Sequence, residues 1–200
     1  MARPARFTIY NTPVVGRVVG WVLGLLLRVF GWRIEVPEPP PERAVFVIAP
    51  HTSYWDAAVL LPAAAAIQID PHWMATHNLF RFPVRTLVRW LGGIPVDRTR
   101  RTGLVDAAID AFEGADHLQL AVAPEGTRYR ADRWKTGFYR IAEGAGVPIA
   151  LAFADYGRKV VGIGGTFVPS GDLEADLAHI RDFYDGVTAR HPDRFAPPSL

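Results

Sequence analysis

Two hundred residues and 22.1 kDa allow one domain with at most a short appendage, since single cores commonly span about 100–200 residues. The chain has no cysteine, which excludes a disulfide scaffold, thiolate metal sites, iron–sulfur clusters and any cysteine nucleophile. Lys+Arg 22 against Asp+Glu 20 leave a formal +2, too near balance for a general nucleic-acid binder, and a 50% hydrophobic fraction excludes disorder while leaving room for membrane contact.

The near-neutral total hides a basic front end and an acidic tail. Through Val36 the charged side chains are Arg3, Arg6, Arg17, Arg28, Arg33 and Glu35; from Gly171 onward acids dominate. Val14–Trp32 reads as a helix of Val, Leu, Gly and Trp. Its uninterrupted apolar core, Val18–Leu27, covers ten residues, half of what a bilayer span needs. Arg17 and Arg28 bracket it, roughly 16 Å apart along a helix. That pattern fits a helix lying in the membrane interface with arginines reaching headgroups. A signal peptide is a rival, but no small-residue cleavage site follows; a helix packed on the core is another.

Residues 1–36 thus form a basic, apolar segment and 37–43 (PEPPPER) a proline-rich linker. Ala44–Ala49 is an apolar run of strand length, as for a strand covered on both faces. A helix follows over about Ser53–Ala66, a strand at Trp73–Thr76, and a helix over Leu79–Leu91 interrupted by Pro83. Ile94–Val96 is strand-like, Thr102–Gly114 helical and His117–Ala123 a strand. Thr136–Ala145 is helical and Pro148–Ala154 a strand. Lys159–Val168 reads as an edge strand or hairpin arm, and Leu173–Ala189 as an amphipathic helix. The alternation predicts an α/β fold: a single domain, its central sheet mostly parallel or mixed and flanked by helices, with a membrane-associated N-terminal helix.

Several chemistries are absent. Ser53, Ser170 and Ser199 are the only serines and none lies in G-x-S-x-G. There is no P-loop and no G-x-G-x-x-G, and the histidines form no metal-ligand pair at helical spacing, so no metal is expected.

The first strand ends in Pro50-His51-Thr52-Ser53-Tyr54-Trp55-Asp56. His51 on the strand-to-helix turn and Asp56 in the first helical turns bring imidazole and carboxylate together, with Thr52 or Ser53 capping the helix. A carboxylate on one ring nitrogen leaves the other free to take a proton, and ligands of open α/β sheets bind where strands end. A capping Asp beside an incidental His is the plainer alternative. Gly92–Arg98 is a second block, in which two glycines permit a close turn and Arg98 emerges beside Arg100 and Arg101; a basic surface turn explains it equally. The third is Pro124-Glu125-Gly126-Thr127-Arg128. Gly126 lets backbone approach a ligand, and Thr127 and Arg128 suit phosphate oxygens. Lys135 follows shortly, before a helix start.

These blocks, in order, resemble the glycerolphosphate acyltransferase family, the PlsC-like phospholipid acyltransferases. His51 to Asp56 is similar to the family's H-x4-D box, Gly92–Arg98 to its G-x-I-x-x-D-R block, Pro124–Arg128 to P-E-G-T-R and Val147–Ile149 to V-P-I. The likeness covers about residues 44–155 and makes 44–200 the acyltransferase domain. Two departures stand out: Pro50 where Asn is common, and Ala-Leu-Ala-Phe-Ala-Asp-Tyr after Ile149.

The resemblance implies an O-acyltransferase of phospholipid biosynthesis. Its donor would be acyl-CoA or acyl carrier protein, a substrate rather than a cofactor. Its acceptor would be 1-acyl-glycerol-3-phosphate, with His51 as base, Asp56 as its partner and no acyl-enzyme. Arg98, Thr127, Arg128 and Lys135 would hold the phosphate, close to Gly126, while Glu125 either holds the arginines or touches the acceptor. The protein would work on a lipid surface at the cytoplasmic face of the cell membrane, peripheral or monotopic. Glycerol-3-phosphate, a lyso-aminolipid or another lysophospholipid as acceptor, or a non-catalytic lipid-phosphate-binding module, are the alternatives.

Overall fold

A computed structural model describes residues 8–96 and 103–199 of the chain. The elements, in order, are α1 (Val15–Val29), β1 (Arg33–Glu35), β2 (Arg43–Ile48), α2 (Tyr54–Ala66), β3 (Pro71–Thr76), α3 (Arg85–Trp90) and β4 (Gly93–Val96). They continue with α4 (Leu104–Glu113), β5 (Leu118–Val122), α5 (Gly137–Ala145), β6 (Ile149–Asp155), β7 (Val160–Phe167) and α6 (Leu173–Asp185). Among the described residues seven strands form one sheet in the order β1-β7-β6-β2-β5-β3-β4. β6, β2, β5, β3 and β4 run parallel, while β7 is antiparallel to β6 and parallel to β1.

β2 lies at the centre, which explains its unbroken apolar run: both faces are covered. Val45, Val47 and Ala49 pack with Ala108 and Phe112 of α4, Phe138 and Ile141 of α5 and Ile180 and Tyr184 of α6. Their neighbours Ala44 and Phe46 point the other way, to Ala64 and Ala65 of α2 and Leu23 of α1. The result is three layers, with the period-two alternation of β2 deciding which residue serves which face.

Of the two readings of Lys159–Val168, the structure bears out the hairpin arm on β6; it is not an edge strand, because β1 pairs alongside it, Arg33 opposite Val160. β1 itself, a three-residue Arg-Ile-Glu, carries no alternation long enough to announce a strand. The last helix ends at Asp185, capped at Gly186, and the chain continues irregularly along the sheet edge.

The segment 1–36, set apart by composition, is packed into the fold where it is described. Thr8 Oγ1 donates to Asp70 Oδ1 (2.6 Å) and Asn11 Nδ2 to Asp70 Oδ2 (2.8 Å). α1 lies on α2 through Gly20 and Gly24. A Cβ on Gly20 would overlap the Ala65 carbonyl and one on Gly24 would come to 3.1 Å from Ala66 Cβ, so small residues set the close approach. Val14, Val18, Trp21, Leu25, Val29 and Phe30 of this segment are exposed. No helix among the described residues is long and apolar enough to cross a membrane. The Pro-rich stretch 37–43 is irregular until Arg43 opens β2.

Candidate active site

The site grows from the carboxyl end of β2. After Ile48 the chain turns and α2 begins, with Ser53 as its cap: the Ser53 hydroxyl accepts from Trp55 N (3.2 Å). Asp56, in the first turn, reaches back. Its Oδ2 accepts from the backbone N–H of Thr52 and of Ser53, both at 2.8 Å, a capping box that satisfies donors the helix leaves orphaned. The same oxygen stands 3.4 Å from His51 Nδ1. At that distance the ring nitrogen and the carboxylate face each other, and Nδ1 has no hydrogen-bond partner among the described residues. Asp56 is completely buried, whereas the His51 side chain is 23% exposed. Nδ1 is the buried nitrogen, leaving Nε2 on the accessible edge.

The remaining carboxylate oxygen, Asp56 Oδ1, accepts from the hydroxyl of Tyr156 at 3.0 Å. Burial, then the charge of Asp56, raises the Tyr156 hydroxyl well above the usual phenol range, so it remains a donor. Its ring meets Trp32 edge-on with centroids 5.1 Å apart. Tyr156 follows β6, in the stretch where the sequence leaves the family pattern. Nothing local signals its role, because 100 residues separate it from Asp56.

β5 is the neighbour of β2, so the loop 123–128 emerges beside His51. Glu125, buried, accepts the His51 backbone N–H on both carboxylate oxygens at 3.0 Å. Burial pushes its carboxyl up to about 7; the bond from His51 opposes this. Glu125 therefore holds the His51 turn rather than the arginines. Arg128 turns elsewhere: Nη2 donates to Tyr54 Oη at 2.7 Å and the guanidinium lies 3.9 Å over the Tyr54 ring. Gly126 has φ +66, and a Cβ there would meet the Lys135 side chain, which lies across the loop; glycine answers both demands. Thr127 Oγ1 accepts from Tyr129 N (3.2 Å), and Lys135 N donates to Pro124 O (2.9 Å).

His51, Asp56, Glu125, Gly126, Thr127, Arg128 and Lys135 are thus gathered at the carboxyl edge of adjacent strands. Arg98 lies outside the described residues, two positions beyond β4, which ends at this edge. Val147 and Ile149 are core residues.

Chemically, the arrangement supplies an accessible imidazole nitrogen whose ring is backed by a buried carboxylate, next to two cationic side chains and a glycine-opened backbone. That is equipment for taking a proton from a hydroxyl close to an anionic group.

A comparison with curated proteins gives no match. Among solved structures, the crystal structure of the 1-acyl-sn-glycerophosphate (LPA) acyltransferase PlsC from Thermotoga maritima is similar. The TM-score is 0.58, with 20% identity over 86% of this chain and 78% of that one. At this identity the likeness is one of fold. A family model described as Acyltransferase matches residues 33–150, from β1 to the start of β6, more than half of the chain. It spans both loops that carry the site, and on that match the chain belongs to the acyltransferase family.

Proposed function

We propose that the protein transfers a fatty acyl group from an acyl-CoA or acyl carrier protein thioester to the free hydroxyl of 1-acyl-glycerol-3-phosphate, producing phosphatidate. The observation that carries this reading is the His51–Asp56 contact beside the Gly126–Arg128 loop. His51 Nε2 takes the acceptor's proton as its oxygen attacks the thioester carbonyl. Asp56 keeps the other ring nitrogen oriented and balances the imidazolium. When the tetrahedral intermediate collapses, the C–S bond breaks and the thiolate leaves with that proton. Only the new ester and free thiol remain. No acyl-enzyme is needed, in keeping with a chain that lacks cysteine and whose Ser53 hydroxyl caps α2.

Arg128 keeps donors beyond the one on Tyr54, and with Lys135 and the Gly126 backbone it suits the acceptor's phosphate; Arg98 is assigned to the same group. The exposed apolar stripe of α1 supports a monotopic seat on the cytoplasmic face of the membrane, where thioester donors are made. Trp32, just past that helix, touches Tyr156 beside the dyad, so a lipid acceptor resting against α1 would enter next to His51.

The test is thiol release from palmitoyl-CoA with and without lysophosphatidate in mixed micelles, for wild type and His51→Ala. With no cysteine in the chain, a thiol reagent reads only coenzyme A. Acceptor-dependent release should fall about 10²–10⁴-fold in the variant. Release that ignores the acceptor, or a variant as fast as wild type, would defeat the mechanism.

A further inference from the structure

Residues 186–199 lie beyond the span of the family match and run along the site edge. Tyr156 N donates to Thr188 O (2.9 Å), His191 N to Thr52 Oγ1 (3.2 Å) and Arg130 Nη1 to Phe195 O (3.2 Å). The strap is therefore tied in turn to the segments that follow β6, β2 and β5. It sets Arg190 5.9 Å from the Trp55 ring centre and 5.5 Å from that of Tyr156, and Arg194 5.6 Å from that of Tyr129.

Neither arginine has a carboxylate partner among the described residues, and Asp193 is the strap's one acid. Trp55 and Tyr129 are 61% and 72% exposed. Exposed aromatic rings with guanidinium forks lying over them, and no carboxylate on those forks, suit a ligand that combines a heteroaromatic ring with phosphates.

We propose that this strap is the docking surface for the nucleotide of the acyl donor, an adenosine polyphosphate of the coenzyme A class, with Arg190 and Arg194 on its phosphates and Trp55 and Tyr129 as stacking faces. The proposal rests on the acyl-transfer reading, and it separates the two anionic groups that reaction must hold. Arg128 and Lys135 face the acceptor, and the strap faces the donor. A pantetheine arm is about as long as four extended residues, roughly 14 Å, enough to carry a thioester from the strap to His51. A carrier-protein donor brings carboxylates and one phosphodiester but no ring for Trp55 or Tyr129.

The experiment compares palmitoyl-CoA with S-palmitoyl-pantetheine, the same thioester without the nucleotide, on the full-length wild type and on R190Q/R194Q in mixed micelles. The wild type's kcat/KM preference for palmitoyl-CoA should fall by about tenfold or more in the variant, with the loss in KM. R190K/R194K, which keeps the charge, should retain most of the preference. A preference undiminished in R190Q/R194Q overturns the proposal, as does a wild type that uses palmitoyl carrier protein and ignores palmitoyl-CoA. Calorimetric titration with adenosine 3′,5′-bisphosphate needs no turnover. Binding lost in R190Q/R194Q supports the site even if acyl transfer itself fails, and a wild type that binds none overturns it.

Discussion

Removing the Tyr156 hydroxyl isolates one contact of the dyad. Tyr156→Phe keeps the ring, its edge contact with Trp32 at 5.1 Å and its place under Arg190; what disappears is the 3.0 Å donor to Asp56 Oδ1. Asp56 is fully buried, and its two other donors, Thr52 N and Ser53 N, both serve Oδ2, so Oδ1 is left bare. A hydrogen bond to a charged group contributes about 1.5–3 kcal/mol. In a chain of this size each kcal/mol moves Tm by about 2–4 °C, so the variant should melt roughly 3–12 °C lower. Activity should respond in its own way. With Asp56 held on one carboxylate oxygen alone, the group that backs the His51 ring is less firmly placed, so kcat should fall about tenfold while KM for the acceptor stays nearly unchanged. Thermal unfolding followed by circular dichroism, and thiol release at limiting and saturating acceptor, give the two readings. A variant with wild-type Tm and wild-type kcat would refute the role assigned to this hydroxyl. A lower Tm with an unmoved kcat would reduce it to a structural prop.

Two further perturbations test other parts of the molecule. Glu125 has its carboxyl raised from 4.5 to about 7 by burial. The folded state thus holds that proton more tightly than the unfolded chain, and the contribution to stability is complete below about pH 4.5 and lost as pH rises to about 7, on the order of 3 kcal/mol. Glu125→Gln carries no titrating group but keeps an acceptor for the His51 N–H, so the Tm of wild type should decline by several degrees more than that of the variant between pH 5 and 8; parallel curves would count against a buried, raised carboxyl. On α1, Trp21→Glu with Leu25→Glu alters side chains that are 71% and 47% exposed, so the fold should survive while flotation with anionic liposomes drops at least about tenfold. Undiminished flotation would remove α1 from the membrane contact.

What the sequence makes legible is what local chemistry encodes. The continuous apolar run of β2, the Ser53 cap and the five-residue step from His51 to Asp56 are neighbours in the chain, and short-range sterics bring them together. β1 is hidden because three residues hold too little pattern, and its existence depends on β7 lying alongside. The partners of Glu125 and Arg128 are hidden for another reason. Adjacent in the chain to basic residues, Glu125 reads as their counter-charge, yet the loop aims it inward at a backbone N–H while Arg128 stacks outward on Tyr54. The contact between Tyr156 and Asp56 belongs to the sheet order, which places β6 beside β2, and no spacing rule anticipates it.

The meeting of α1 with α2 has a mechanical consequence. At Gly20 the backbone of one helix rests almost on the Ala65 carbonyl of the other, and Gln68 Nε2 reaches the Gly16 carbonyl at 3.4 Å. Such a joint is keyed, since sliding by one residue would drive Trp21 or Leu25 into the groove that glycine leaves open. Whatever surface the outer stripe of α1 rests on is then held at one height and one tilt relative to the imidazole of His51, and the reach from that surface to the ring becomes a fixed dimension of the protein.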